Sequence, residues 1–495
     1  MTIGDKRMAS DRVIWPAQGP SKGFIIAGPA SGVGKTTVAL SLMAALRRRG
    51  LTIQPFKCGP DFIDGGHYAR VCGRTSRNLD GWMLSADANR EILCRTTAEV
   101  AVCVVEGMMG LFDGVDGKSE AGSTAEIAKW LRLPVILVVD ASSIARSAAA
   151  LVHGFQTFDP ALKLVGVIFN RVGGPAHYRL LKDALTTSTN VVPLGYLPRD
   201  ERIQIPERYL GLFTAGEDPL PDSALSLLGE LGENSIDLDK LLECAASIHE
   251  LPKAATAHDA PRALVHSVRL GVARDKAFCF YYEDNFDALR EAGAEIVEFS
   301  PLEDSSLPAA LDALYFGGGY PELFANQLAE NSQMLASIKR AAQGGLPIYA
   351  ECGGLMYLAK EIVRKDGAAF PMVGALPLGV QMTDRLVNFG YTEVSFTSDC
   401  LMGSAGRKAR GHSFHCSRII DAGPMEHVYR TRNFMTGCEE PEGWRIGNVL
   451  ASYIHLHFLS SPGMADAFVT NIKNARCREI HPFECGISAQ KGIEF

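Results

Sequence analysis

The sequence predicts an α/β protein built from two doubly wound domains, and three observations lead there. Strand-like apolar runs alternate with helical periodicity in two separate series. A glycine-rich loop joins a strand to a helix near the N-terminus, and a second strand-to-helix turn is built round a cysteine beyond residue 345. Length agrees, because 495 residues exceed one ordinary core and suggest two to four domains.

The first series opens with GFIIAG (23–28), a short apolar run ending in glycine. TTVALSLMAALRRRG (36–50) follows with helical spacing, cations in its last turn and Gly50 as the stop. AVCVVEG (101–107), PVILVVD (134–140) and LVGVIFN (164–170) are continuous and rich in β-branched residues. Such runs suit strands covered on both faces of a parallel sheet. Past residue 233 the chain offers one plausible helix, then Ala, His and Pro without a period. The second series runs through LGVARDKAFCFYYEDN (270–285), AEIVEF (294–299), ALYFGGGY (313–320) and LPIYAECGG (346–354). The expected division is a leader over 1–22, a first domain over 23–250, a linker over 251–268, a second domain over 269–475 and a tail over 476–495.

Composition narrows the function classes. A net charge of −7 leaves no basic excess to neutralise a nucleic-acid backbone. No apolar run approaches the ~20 residues that span a bilayer. The first 22 residues are mixed and polar, unlike a signal peptide. None of the 12 cysteines forms a CxxC pair. Apart from Cys352 they read as buried small hydrophobes in a reducing compartment, Cys103 in AVCVV and Cys279 in FCFYY among them. A cytoplasmic location is expected.

The strongest local signal is Gly28-Pro29-Ala30-Ser31-Gly32-Val33-Gly34-Lys35-Thr36-Thr37. It follows a strand and opens a helix, the setting a phosphate loop needs. The glycines let backbone N–H groups surround an anion, and the helix N-terminus adds partial positive charge. Lys35 then reaches the β and γ phosphates and Thr36 holds Mg²⁺. The spacing departs from GxxxxGK[ST]: Pro29 stands at the first glycine position and Gly28 comes one residue early. An ordinary glycine turn is the alternative. Two acidic segments follow strand-like runs, Lys57-Cys58-Gly59-Pro60-Asp61-Phe62-Ile63-Asp64 and Glu106 to Asp113. In a parallel sheet both emerge at the carboxyl edge beside the loop, where carboxylates hold Mg²⁺ or orient a second substrate. Capping and turn chemistry is the plainer reading of Asp64 and Asp113.

The second signal is Ile348-Tyr349-Ala350-Glu351-Cys352-Gly353-Gly354. A strand ends in cysteine and a helix follows, the thiol counterpart of a nucleophile elbow. Sulfur near a helix N-terminus favours thiolate. Alanine at 350 replaces a glycine often found two residues before the nucleophile. A thiol nucleophile needs a base, and His455, His412 and His415 are all candidates. The turn Phe316-Gly317-Gly318-Gly319 follows another strand and offers N–H groups to an oxyanion. A merely structural glycine turn is the alternative.

Taken together, these blocks resemble the cobyrinate a,c-diamide synthase family over roughly residues 23–470. The shared motifs are the SGVGKTT loop, GPDFID, NLD-x-W-M (Asn78 to Met83), EG-x-x-GLFDG, GST-A-x-x-A (Gly122 to Ala128) and PER-x-LGL (Pro206 to Leu212). GGGYPE, AECGG and SY-x-HLH complete the set. The resemblance implies a dethiobiotin-synthetase-like P-loop domain followed by a class I glutamine amidotransferase domain. It maps the Cys–His pair onto Cys352 and His455, with oxyanion donors at Gly318, Gly319 and Gly353. It maps nucleotide binding onto Gly28, Ser31, Gly32, Val33, Gly34, Lys35, Thr36 and Thr37, with Asn170 where related enzymes read adenine. Mg²⁺ would lie on Thr36, Asp61 and Glu106, and the acyl-phosphate site on Asp61, Asp64 and Asp113. Many class I amidotransferases carry Glu two residues after the His. Here that residue is His457, so the triad's third member is missing.

The implied reaction is ATP- and glutamine-dependent amidation of the a and c acetates of cobyrinic acid through an acyl phosphate. Another tetrapyrrole acid, such as sirohaem, sirohydrochlorin or its nickel complex, is the alternative substrate. Cobyric acid synthases typically carry a QNMS-type segment in place of GPDFID. A regulatory P-loop ATPase is the reading from another class, and it leaves Cys352, GGGYPE and SYIHLH without a role. The expected partners are a small tetrapyrrole acid and a second copy of the chain, with no nucleic acid and no membrane.

Overall fold

Continuous apolar runs flanked by glycine turns fold into two parallel-stranded cores. The computed structural model describes residues 21–205, 207–208, 211–212, 220–248 and 267–480. Most of the expected leader and linker, parts of the PER-x-LGL segment and the tail from residue 481 lie outside the described residues. The chain divides into two compact units. One takes residues up to Leu79 and Asn89–Ala255, the other Asp80–Ala88 and the chain from Thr256 onward. An unbroken first domain over 23–250 is therefore not what forms. Trp82, Met83 and Leu84 are buried, and the segment that holds them packs within the C-terminal unit, where Trp82 stacks on Tyr391 at 4.7 Å.

In the N-terminal unit the main path of the sheet comprises β1 (Lys22–Ala27), β2 (Ile53–Cys58), β3 (Arg77–Leu79), β4 (Val102–Glu106), β5 (Val135–Asp140), β6 (Leu164–Val172) and β7 (Val192–Pro198), with Ala246–Ser247 pairing antiparallel to β1 off that path. Their order is β3-β2-β4-β1-β5-β6-β7, and every neighbouring pair in it is parallel. The continuous hydrophobic runs explain this, since β2 and β4 are buried along their whole length. Helix α1 (Lys35–Arg48) buries Val38, Leu42 and Met43 against the sheet. Each such side chain contributes about 1.5–3 kcal/mol. Helix α2 (Ile63–Cys72) follows the GPDFID turn and stops at Gly73. Parallel strands aim their carboxyl ends at one edge, so β1, β2 and β4 deliver the loop at 28–34, the turn at 59–64 and Glu106 to the same place.

The C-terminal unit contains a ten-stranded sheet. Its parallel half runs Ala294–Phe299, Val268–Ala273, Ala313–Phe316, Ile348–Glu351, Val449–Ser452. Its other half is antiparallel, from Glu439–Ile446 through Glu426–Asn433, Asn388–Phe396 and Lys408–His415 to the two residues His455–Leu456. Doubly wound packing thus covers the half that holds the cysteine turn. The other half is an antiparallel extension that apolar periodicity does not announce.

One cysteine expectation fails. Cys103 is buried, but Cys279 and Cys438 are exposed. Ala277 and Phe278 turn inward, and Phe280 bridges to Gly318, which leaves Cys279 facing out. Among the described residues no helix is long and apolar enough to cross a membrane.

Candidate active sites of the two units

The loop after β1 owes its shape to glycine. Gly34 has φ 90°, and a Cβ added there would lie 2.0 Å from Asn170 Nδ2. That amide donates to Val33 O at 3.0 Å, so Asn170 braces the loop as well as lining the cleft beside it. Lys35 Nζ donates to Ala30 O at 2.9 Å and Met109 O at 2.6 Å, which ties the ammonium across the loop. Burial lowers its pKa, with Glu106 opposing. Beyond the loop lies a cleft of about 740 Å³, lined by Ser31, Gly32, Gly34, Lys35, Thr36, Thr37, Lys57, Asp61, Asp64, Glu106 and Asn170. Arg199, Asp200 and Glu201, from the turn after β7, line it too.

A buried charge cluster forms the cleft floor. Lys57 Nζ contacts Asp64 Oδ2 at 2.5 Å and Glu106 Oε1 at 2.9 Å. Thr36 Oγ1 donates to Glu106 Oε1 at 3.0 Å, and Tyr68 OH donates to the other oxygen of Glu106. Burial, aided by the charge of Asp64 and opposed by Lys57, pushes Glu106 up to about 7. Burial and Asp64 likewise push Asp61 up to about 6. Asp61 Oδ1 accepts from Ile63 N–H at 2.8 Å and Asp64 N–H at 3.1 Å, opening α2. Negative charge in excess of what the lysines neutralise is what a divalent cation relieves. Hydroxyl and carboxylate oxygens are the hard donors Mg²⁺ takes alongside phosphate. Among the described residues no group of three or more His, Cys, Asp or Glu forms a metal cage.

Not every expected residue joins this cleft. Asp113 is exposed and accepts from Gly110 N–H at 2.8 Å. It acts on Lys35 only through its charge, and turn chemistry accounts for it. Gly28 and Val33 support the loop from behind, a Cβ on Gly28 falling 2.6 Å from Val33 Cγ2. Within the buried charge cluster, Lys57 and Tyr68 have no role in the sequence reading. The only hint of Lys57 was a lone charge ending the apolar run TIQPF.

In the C-terminal unit, Cys352 sits at φ 47° and ψ −104°, between strand Ile348–Glu351 and helix Gly353–Leu358. Its N–H donates to Ser452 O at 2.7 Å. Glu351 pairs with Ser452, so the adjacent strand ends three residues short of His455. A Cβ on Gly318 would fall 2.3 Å from His455 Cε1, and one on Gly353 would fall 3.1 Å from Gly319 N. The glycine turn therefore lies against both His455 and the elbow.

The donors differ from expectation. Gly318 N–H is committed to Phe280 O at 3.2 Å, because Phe280 and Gly318 form an antiparallel bridge. Gly318 therefore drops out of the oxyanion set. Gly319 N–H has no acceptor among the described residues, and Gly353 N–H acts on the Cys352 sulfur. The thiol also differs. Burial, followed by the charge of Glu322, pushes Cys352 up to about 12. Cys352 is 6% exposed with carboxylates nearby, and burial and their charge oppose the thiolate that the helix N-terminus favours.

The imidazoles separate by environment. Burial pushes His455 down to about 3. His412 lies stacked on it at 4.8 Å, with Nδ1 2.8 Å from Tyr282 OH. His415 Nδ1 is 2.9 Å from Ser417 O, and its ring lies on Tyr453 at 3.8 Å. His457 packs on Tyr282 at 4.5 Å, and neither of its ring nitrogens has a hydrogen-bond partner among the described residues.

Two family models match successive parts of the chain. Residues 24–212 match the CobQ/CobB/MinD/ParA nucleotide binding domain, and residues 269–463 the CobB/CobQ-like glutamine amidotransferase domain. A cobyrinate a,c-diamide synthase from Leptospira interrogans is 42% identical over 452 residues, 90% of this chain and 97% of that protein. The chain belongs to the cobyrinate a,c-diamide synthase family. Members from Syntrophotalea carbinolica (44% over 449 residues, 90% of this chain and 97% of the relative) and Priestia megaterium (42% over 454 residues, 92% and 97%) match along the same length. In the terms of that family, the charge-lined cleft lies in the nucleotide-binding module and the Cys352 elbow in the amidotransferase module.

Proposed function

We propose that this chain converts cobyrinic acid to its a,c-diamide, spending ATP and taking nitrogen from glutamine. One observation carries the reading. A chain alike over nine-tenths of its length to cobyrinate a,c-diamide synthases has a carboxylate-lined cleft beside a glycine-rich loop in one unit, and in the other a cysteine elbow and a buried histidine that both adjoin one glycine turn.

A carboxylate is a poor electrophile at neutral pH. Moving the γ-phosphoryl group of ATP onto it makes an acyl phosphate, from which ammonia displaces inorganic phosphate to leave an amide. Lys35 and the loop N–H groups meet the negative charge that develops during transfer. Lys57 keeps Asp64 and Glu106 in place at the cleft floor. Thr36, Asp61 and Glu106 would hold Mg²⁺, which supplies charge neutralisation on the phosphates.

Ammonia comes from the other unit. The Cys352 sulfur attacks the side-chain amide carbon of glutamine as its proton passes to the His455 imidazole. Gly319 and Gly353 N–H groups take the oxyanion of the tetrahedral intermediate. The imidazolium then protonates the departing nitrogen, releasing ammonia and leaving a thioester that water cleaves to glutamate. Burial disfavours both the thiolate and the imidazolium, so the proton moves as the sulfur–carbon bond forms.

The test offers purified protein cobyrinic acid, sirohydrochlorin and sirohaem separately, each with ATP and glutamine, and weighs the products. Cobyrinic acid should gain two amides. Amidation of sirohydrochlorin or sirohaem with cobyrinic acid left untouched would overturn the assignment.

A further inference from the structure

Hydrolysis of glutamine asks His455 to present a bare Nε2 to the thiol, which fixes the other ring proton on Nδ1. A partner for that proton sets the tautomer and steadies the imidazolium as it forms. Position 457, two residues on, does not supply it, because His457 fills that position with its ring packed on Tyr282. The carboxylate at His455 Nδ1 belongs instead to Glu351, whose Oε2 lies 3.9 Å away.

Glu351 is 1% exposed and built into place. Tyr315 OH donates to Oε2 at 2.9 Å, Tyr349 OH to Oε1 at 2.8 Å, and Leu456 N–H to Oε1 at 3.1 Å. Strand alternation explains how one elbow offers both groups. Tyr349 and Ala350 join opposite hydrophobic clusters, so Glu351 shares a face with Tyr349, and Cys352 shares the other with Ala350. His455 closes over the strand end from the neighbouring chain segment. A gap of 3.9 Å exceeds a hydrogen bond, and catalytic contacts of this kind tighten when substrate is bound.

We propose that Glu351 is the positioning carboxylate of the glutaminase, accepting the Nδ1 proton of His455 in place of the residue at 457. The carboxylate thus comes from the residue immediately before the nucleophile rather than from the histidine's own segment. This deepens the glutaminase reading above and rests on it.

Glu351→Gln and Glu351→Asp in the full chain test it, with glutamate release and ammonia-driven amidation measured separately. The Gln variant should lose about 100-fold in glutamine kcat, with the KM for glutamine and the ammonia-driven rate within about twofold of the parent. The Asp variant should recover about tenfold of that loss. ¹⁵N spectra of histidine-labelled protein should show His455 protonated on Nδ1 in the parent and mixed between nitrogens in the Gln variant. A Gln variant within about threefold of the parent, or one that loses the ammonia reaction equally, overturns the proposal. If the Gln variant does not fold, Tyr349→Phe, which removes one donor and keeps the carboxylate, decides. A several-fold fall confined to glutamine kcat supports the role, and no change refutes it. Persistent glutaminase activity in Cys352→Ser would sink the underlying reading instead.

Discussion

At the scale of single residues, two positions make sharp predictions. Gly34→Ala must place a methyl 2.0 Å from Asn170 Nδ2 at a φ of 90°, a region that costs a side chain roughly 1–2 kcal/mol before any clash. ATP affinity should fall by about tenfold or more while glutaminase activity persists; an unchanged KM for ATP would mean the loop takes another shape. Cys352 makes a prediction in pH. With its thiol pushed up to about 12 and His455 down to about 3, neither group titrates near neutrality. Alkylation by iodoacetamide should therefore keep rising between roughly pH 6 and 9, by somewhat less than about tenfold per unit near pH 7, where Glu351 ionises and its charge raises the thiol further. A plateau near pH 7 would reveal a preformed thiolate–imidazolium pair. Lys35 and Cys352 were legible in sequence because each occurs in a motif whose chemistry needs that residue type. Lys57 and Glu351 were not. Their significance lies in which carboxylate or imidazole they meet, and those partners come from other strands, 49 residues on for the Lys57–Glu106 bond and 105 for the Glu351–Leu456 bond.

At the scale of elements, strand ends do most of the work. In both units, parallel strands bring sequence-distant residues to one edge, and the runs that became these strands were readable because both faces are buried. The antiparallel half of the C-terminal sheet was not. Its strands Asn388–Phe396 and Lys408–His415 alternate buried and open positions, and their side chains are mixed enough to pass for loop. His412 and His455 face one another across the pairing of Lys408–His415 with His455–Leu456, a fact of register that single-sequence periodicity does not carry. The glycine turn after Ala313–Phe316 gives the element-scale test. Gly319 has φ 154°, and a Cβ there would lie 2.0 Å from Ala277 O. Gly319→Ala should cut glutamine-dependent turnover by about 10²–10³ through displacement of an oxyanion donor. Ammonia-driven synthesis should survive. Equal loss of both reactions would assign the turn a purely architectural role.

At the scale of the whole molecule, the two chemistries should come apart by mutation. Lys35→Ala should abolish amide formation with either nitrogen source, by about 10³-fold or more. Cys352→Ser should abolish glutamine use and leave the ammonia reaction. Mass of product and released glutamate, measured side by side, read both. Loss of the ammonia reaction in folded Cys352→Ser would contradict the division of labour. The alternation of strands and helices made two units legible in the sequence, but their membership was not, because a nine-residue excursion leaves no break in composition.

That excursion changes what it means to take this protein apart. Asp80–Ala88 belongs with the C-terminal unit, where Tyr391 OH donates to Asp80 at 2.7 Å and Arg410 lies over the Trp82 ring at 5.0 Å. A protease cutting once between residues 248 and 267, or a gene split there, would not release two whole modules. The later fragment would be born without a piece of its own interior, its Tyr391 and Arg410 turned toward a ring left behind on the other polypeptide. Order along the gene and order in the fold cross at this one place.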